Sequence, residues 1–77
     1  MDESTIRALK DEYNQYLLRA VKAEIYLDNE AIPRAEREKH IPAFLAIIKR
    51  LNGILQELKQ TGIKYTDQEI LGGFANE

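Results

Sequence analysis

The side chains that could serve nucleophilic catalysis are few and lie in separate parts of the sequence. The chain contains one serine, Ser4, one histidine, His40, and no cysteine. A serine nucleophile needs a base within hydrogen-bonding reach, and His40 lies far along the chain from Ser4. The adjacent carboxylates Asp11 and Glu12 fall at polar positions of a predicted helix, whereas a general acid needs a carboxyl group removed from water. We therefore expect that the chain is not an enzyme.

The sequence also offers few candidate residues for a metal site or a phosphate-binding site. Glu36 and His40 have the spacing of one helical turn, but structural zinc takes four ligands and catalytic zinc takes three from the protein. The glycine pair Gly72-Gly73 follows a predicted helix, whereas a phosphate-binding loop opens one. We expect no bound metal and no cofactor.

Aromatic and basic side chains offer one binding chemistry, the recognition of an anion. Two tyrosines of the first predicted helix precede an arginine and a lysine, and a basic cluster follows in the next segment. The residues concerned are Tyr13, Tyr16, Arg19, Lys22, Arg34, Arg37, Lys39 and His40. They leave open, as an alternative function, an anion-binding module for a nucleotide or nucleic acid, whose binding would weaken with salt. Because Glu36 and Glu38 interleave with the cluster and the first helix is acidic, we favour mutual neutralisation of these charges.

The composition predicts one small domain whose core alone gives little stability. A chain of 77 residues forms at most one domain, and it has no cysteine with which to make disulfides. Domains of this size usually depend on a disulfide, a metal or a partner chain. The net charge of −2 gives no overall attraction to nucleic acid or membrane, and no apolar run approaches a membrane span. We expect a cytoplasmic protein without a membrane partner.

Apolar spacing predicts an all-α fold with two long amphipathic helices. The first helix is predicted at about residues 4–28, with Ser4 or Thr5 as its N-cap, and the second at about 42–61. The repeating apolar residues of the first are Ile6, Leu9, Tyr13, Tyr16, Ala20, Ala23 and Leu27, and those of the second are Ile41, Phe44, Ile48, Leu51, Leu55 and Leu58. A charged connection spans 29–41. The two helices are expected to form an antiparallel hairpin.

A short third helix is predicted at about residues 67–71. Gly62 has the position of a left-handed residue that ends the preceding helix. Thr66 and Glu69 have the spacing of a capping box, and the carboxylates Asp67 and Glu69 suit the first turn of a helix. Phe74 is expected to fold back onto the core. The whole chain, residues 1–77, is interpreted as a single helical domain.

A second apolar stripe on the first helix is the feature that suggests a function. Leu18, Val21 and Ile25 lie largely opposite the main apolar repeat, with Tyr26 beside them. Either the third helix covers them, through Ile70, Leu71 and Phe74, or a second copy of the chain does. We favour a homodimer that forms a four-helix bundle. The leading hypothesis is a small interaction or regulatory protein, of bacterial or phage origin, that acts by binding another macromolecule.

Overall fold

Four helices make up most of the structure, a computed structural model that describes residues 2–75. They are α1 (Glu3–Leu27), α2 (Arg34–Glu38), α3 (Ile41–Gln60) and α4 (Asp67–Gly72), and the described residues contain no strand. The expectation of a helical fold is confirmed. Helices α1 and α3 are antiparallel, because Glu12 pairs with Arg50 whereas Tyr26, later in α1, contacts His40 just before α3.

The start of α1 differs from the predicted one. The N-cap is Asp2, not Ser4 or Thr5, and its side chain accepts a hydrogen bond from the backbone N–H of Thr5 at 2.8 Å. The Thr5 hydroxyl donates to the same carboxylate oxygen at 2.9 Å. Aspartate at this position satisfies a backbone N–H that has no partner within the helix and places negative charge at the positive end of its dipole.

The connection between the long helices is ordered by side chains that bond to the backbone. Arg37 of α2 donates to the backbone oxygens of Leu27 and Ile32, each at 3.0 Å. Leu27 is the last residue of α1, so this guanidinium satisfies a carbonyl that has no partner within the helix. Pro42 occupies the first turn of α3, where the absence of an N–H has no cost.

The turn from α3 to α4 follows the predicted chemistry. Gly62 has φ of +84°, and the N–H of Ile63 donates to the Leu58 oxygen at 3.1 Å, which is the bonding pattern of a Schellman motif. The capping box of α4 is also confirmed, since Thr66 and Glu69 exchange side-chain to backbone hydrogen bonds in both directions. These bonds stop one helix and start the next within a few residues.

The core is small and lies between α1 and α3, closed by the chain after α4. Its buried residues are Leu9, Tyr13, Ala20, Leu51, Ile54, Leu58 and Phe74. Phe74 folds back as expected, with its ring edge-on to Tyr13 at 5.3 Å between centroids. Ile54 is fully buried while Leu55 and Ile48 are only half-buried, so the inner side of α3 is rotated from the predicted repeat.

The monomer is long and exposes much surface for its mass. Its extents are 46 × 20 × 18 Å and its radius of gyration is 14.5 Å, against about 11.5 Å for a compact domain of this length. The accessible surface is 5900 Å², whereas a compact monomer of this mass exposes about 4,800 Å². The single chain therefore exposes about 1,100 Å² more than folded monomers of its size usually do.

Candidate interaction surface

Three large apolar side chains are exposed to solvent on the outer side of α1. Leu18, Val21 and Ile25 are 57%, 44% and 66% exposed. Helix α1 turns its buried residues toward α3, and the 3.6-residue repeat places Leu18 and Ile25 on the opposite side. We call these three residues the α1 stripe. A helix packed on one neighbour needs only one apolar side, so the α1 stripe exceeds what the hairpin requires.

Helix α4 does not cover the α1 stripe, so the first of the two predicted alternatives is wrong. Ile70 and Phe74 are held against the other half of α1, because the Ile70 oxygen accepts from the Tyr13 hydroxyl at 2.6 Å and the Phe74 ring packs on Tyr13. Leu71 is 79% exposed. It adds to the exposed apolar surface instead of burying it.

Asn14 fixes the chain after α4 against α1. Its amide nitrogen donates to the Phe74 oxygen at 2.8 Å, and its amide oxygen accepts from the Phe74 N–H at 2.6 Å. Gly73, with φ of +92°, brings the backbone so close that a Cβ there would lie 2.7 Å from the Asn14 oxygen. These bonds hold Leu71 beside the α1 stripe.

An open cavity of about 350 Å³ lies between α4 and the start of the α1 stripe. Leu17, Leu18 and Val21 form one wall, and Leu71, Gly72 and Gly73 form the other. The cavity has the size of a small binding pocket, and its walls are mostly aliphatic. It extends the apolar surface of the α1 stripe toward α4.

Tyr26, which was predicted as part of the same surface, turns toward the connection. Its ring contacts the His40 ring edge-on, with 4.7 Å between the centroids. Tyr26 is half-buried by this contact. It therefore lies beside the α1 stripe without extending it.

The tyrosines and basic residues of α1 that were predicted to bind an anion do not form one pocket. Tyr13 is 2% exposed, its hydroxyl is bonded to Ile70, and burial together with Tyr65 raises its pKa above the ordinary value. Tyr16 is half-buried, with the Arg19 guanidinium over its ring at 5.1 Å. Lys22 is exposed one turn beyond Arg19, on the side of the helix opposite Tyr13. This geometry gives the anion-binding alternative no support.

The basic residues after α1 make most of their ion pairs and hydrogen bonds with residues of their own segment. Arg34 pairs with Glu38 at 2.8 Å, Lys39 pairs with Glu36 at 3.1 Å, and Arg37 bonds to backbone carbonyls. The remaining member, His40, contacts Tyr26. The interleaved glutamates thus offset two charges of the cluster, those of Arg34 and Lys39. A separate ion pair between Glu12 and Arg50 joins α1 and α3. That pair raises the pKa of Arg50 further above its already high value.

Two further observations concern metals and membranes. Within residues 2–75, no three histidine, cysteine, aspartate or glutamate side chains are grouped so as to hold a metal ion. No helix among the same residues has the length and apolar character needed to cross a membrane.

Sequence reasoning missed one exposed apolar pair, Ile41 and Leu45 of α3. They are 40% and 58% exposed, although Ile41 belongs to the apolar repeat that was predicted to pack on α1. The signal was present, because Leu45 lies almost opposite the buried Ile54 on the 3.6-residue repeat. Comparison of the chain with protein-family models, curated proteins and solved structures gives no match.

Proposed function

We propose that this chain is a small, non-enzymatic interaction protein that forms a homodimer through the α1 stripe and binds another macromolecule. The observation that carries the proposal is the exposure of Leu18, Val21 and Ile25 on a helix whose other side already packs in the core. Complete burial of a fully exposed side chain of this kind contributes about 1.5–3 kcal/mol, and covering these partly exposed ones contributes roughly half of that each. A partner that covered all three would supply a large share of the free energy of association.

A second copy suits this surface because the α1 stripe can pair with itself. A twofold axis near Val21 would set two α1 helices antiparallel, with Leu18 of one beside Ile25 of its partner. The stripe extends over the seven steps from Leu18 to Ile25, about 10 Å of helix, and a twofold interface must use the same residues on both chains. The α4 helices would then lie at opposite ends, each bringing Leu71 and its cavity toward the partner's Ile25.

The surface area also supports association. One side of a stable interface buries about 800 Å², which is less than the excess of about 1,100 Å² over a compact monomer. The core has seven buried residues within the described range 2–75. The chain has no cysteine, so disulfides, which stabilise many domains of this size, cannot form within it. Dimerisation would add a second apolar layer between the two α1 helices and give an assembly of four long helices with α1 and its partner copy at the centre.

The test is the molar mass of the protein in solution by light scattering at micromolar concentration. We expect twice the mass of the chain for the native protein, and the mass of one chain for Leu18→Glu combined with Ile25→Glu. The control is Gln15→Glu, an exposed position on the same helix, which should remain dimeric. A native protein that is strictly monomeric, and whose stability is unchanged by the two glutamates, would refute the proposal.

A further inference from the structure

The outer side of α3 combines apolar and positively charged residues. Its exposed residues, which we call the α3 face, are Ile41, Leu45, Lys49, Asn52, Gln56 and Lys59. They follow one another at spacings of four, four, three, four and three, so they lie along one side of the helix. The half-buried Ile48 adjoins Leu45 and continues the apolar surface toward the core.

The charges of the α3 face are unbalanced. Within the part of the chain that the structure describes, neither Lys49 nor Lys59 forms a salt bridge. The one acidic residue of α3, Glu57, lies 4.0 Å from Arg50, which in turn contacts Glu12 of α1 on the other side of the hairpin. On α1, the exposed Glu24 lies near Tyr26 and hence at the Ile41 end of α3, away from the lysines.

From this pattern we infer that the α3 face binds an acidic amphipathic helix of a partner protein. The inference rests on the proposed function, since it names the macromolecule that the homodimer would bind. Apolar anchors one turn apart on a rigid helix match the leucines of a second helix. Lys49 and Lys59 would lie beside glutamates on the flank of that helix, and the opposite charges would select such a partner over a basic one.

Other anionic partners are less suited to the α3 face. A membrane surface attracts each nearby lysine by about 1 kcal/mol, and two lysines with two partly exposed apolar residues give only weak attachment. Nucleic acid binding draws its affinity from many phosphate contacts, to which Ile41 and Leu45 would add nothing. An acidic helix uses both the charges and the apolar residues.

The experiment measures binding of a fluorescent synthetic helix to the whole protein by anisotropy. The probe carries leucines at helical spacing flanked by glutamates, and a matched peptide carries lysines in place of the glutamates. We expect saturable binding of the acidic peptide that weakens with salt, and no binding of the basic one. Leu45→Glu, and separately the pair Lys49→Glu and Lys59→Glu, should each lower the affinity about tenfold or more.

Controls separate this inference from the homodimer. Leu18→Glu with Ile25→Glu should abolish the dimer and leave peptide binding to each chain, whereas Leu45→Glu should leave the dimer intact by light scattering. Because Leu45 is exposed, its substitution should not unfold the protein, which circular dichroism verifies.

The inference is overturned by several outcomes. These are the absence of saturable binding, equal binding of the basic peptide, or an affinity that the α3 variants leave unchanged. Binding of phosphatidylserine vesicles or duplex DNA that is tighter and depends on the same lysines would also overturn it, in favour of those partners. Loss of the dimer in Leu45→Glu would assign the α3 face to the contact between copies.

Discussion

One substitution, glycine to alanine, should have opposite effects at two positions. At Gly73 the backbone φ is +92°, and an added Cβ would lie 2.7 Å from the Asn14 oxygen that accepts from the Phe74 N–H. At Gly53, inside α3, an added Cβ would meet nothing within 4 Å. We therefore expect Gly73→Ala to destabilise the protein and Gly53→Ala to stabilise it.

The magnitudes follow from what each alanine changes. An L-residue in the Gly73 conformation costs about 1–3 kcal/mol. The chain can avoid this strain only by releasing Phe74, which gives up its contact with Tyr13, about 0.5–1.5 kcal/mol, and two hydrogen bonds of about 1 kcal/mol each. Release costs about 2.5–3.5 kcal/mol, so the strained conformation is the less costly route and the free energy of unfolding should fall by about 1–3 kcal/mol. At Gly53 the gain in helix propensity is about 0.5–1 kcal/mol.

The assay is urea unfolding followed by far-ultraviolet circular dichroism, with all proteins at one concentration because dimerisation makes stability depend on concentration. Thermal midpoints should move in the same directions, by about 4–8 °C for each kcal/mol. An unchanged or raised stability of Gly73→Ala would show that Asn14 does not hold the chain after α4 as described. A loss of stability in Gly53→Ala would refute the open surroundings assigned to that position.

Three more predictions concern hydrogen bonds and pH. Tyr13→Phe removes the bond to the Ile70 oxygen and should lower the free energy of unfolding by about 1 kcal/mol; an unchanged urea midpoint would contradict it. Because the pKa of Tyr13 is raised in the folded state, the native protein should lose stability as pH rises past the ordinary tyrosine pKa, and Tyr13→Phe should lose less. The hydrogen bonds from Thr5 lower the pKa of the Asp2 carboxyl. The stability that this carboxylate gives to α1 is therefore complete above the ordinary carboxyl pKa and is lost as pH falls through the folded pKa. Amide exchange at the start of α1 should become faster over that pH range, and this pH dependence should be absent in Asp2→Asn.

The helix boundaries were predictable from sequence because local residues set them. Gly62 and the Thr66–Glu69 capping box act within a few residues of themselves, so α4 was expected at 67–71 and lies at Asp67–Gly72. The start of α1 was misplaced because three neighbouring residues, Asp2, Ser4 and Thr5, can all cap a helix. Only the bonds made in the folded chain single out Asp2.

The parts that sequence could not supply depend on contacts between distant residues. Adjacent apolar residues such as Ile54 and Leu55 both suit a core position, and the packing of α3 on α1 decides that Ile54 is buried. The bonds of Asn14 to Phe74 join residues that are sixty positions apart. They hold Phe74 on Tyr13, away from the α1 stripe. The sequence alone left open whether the third helix or a second copy of the chain covers that stripe.

Cross-linking through a cysteine at Val21 tests the proposed dimer most directly, since the natural chain contains no cysteine. A twofold axis near Val21 brings the two introduced thiols within the range of disulfide formation, so Val21→Cys should oxidise rapidly to a covalent dimer. Gln15→Cys, exposed on the same helix but away from the axis, should oxidise slowly. Equal and slow oxidation of the two variants would contradict the pairing of two α1 helices.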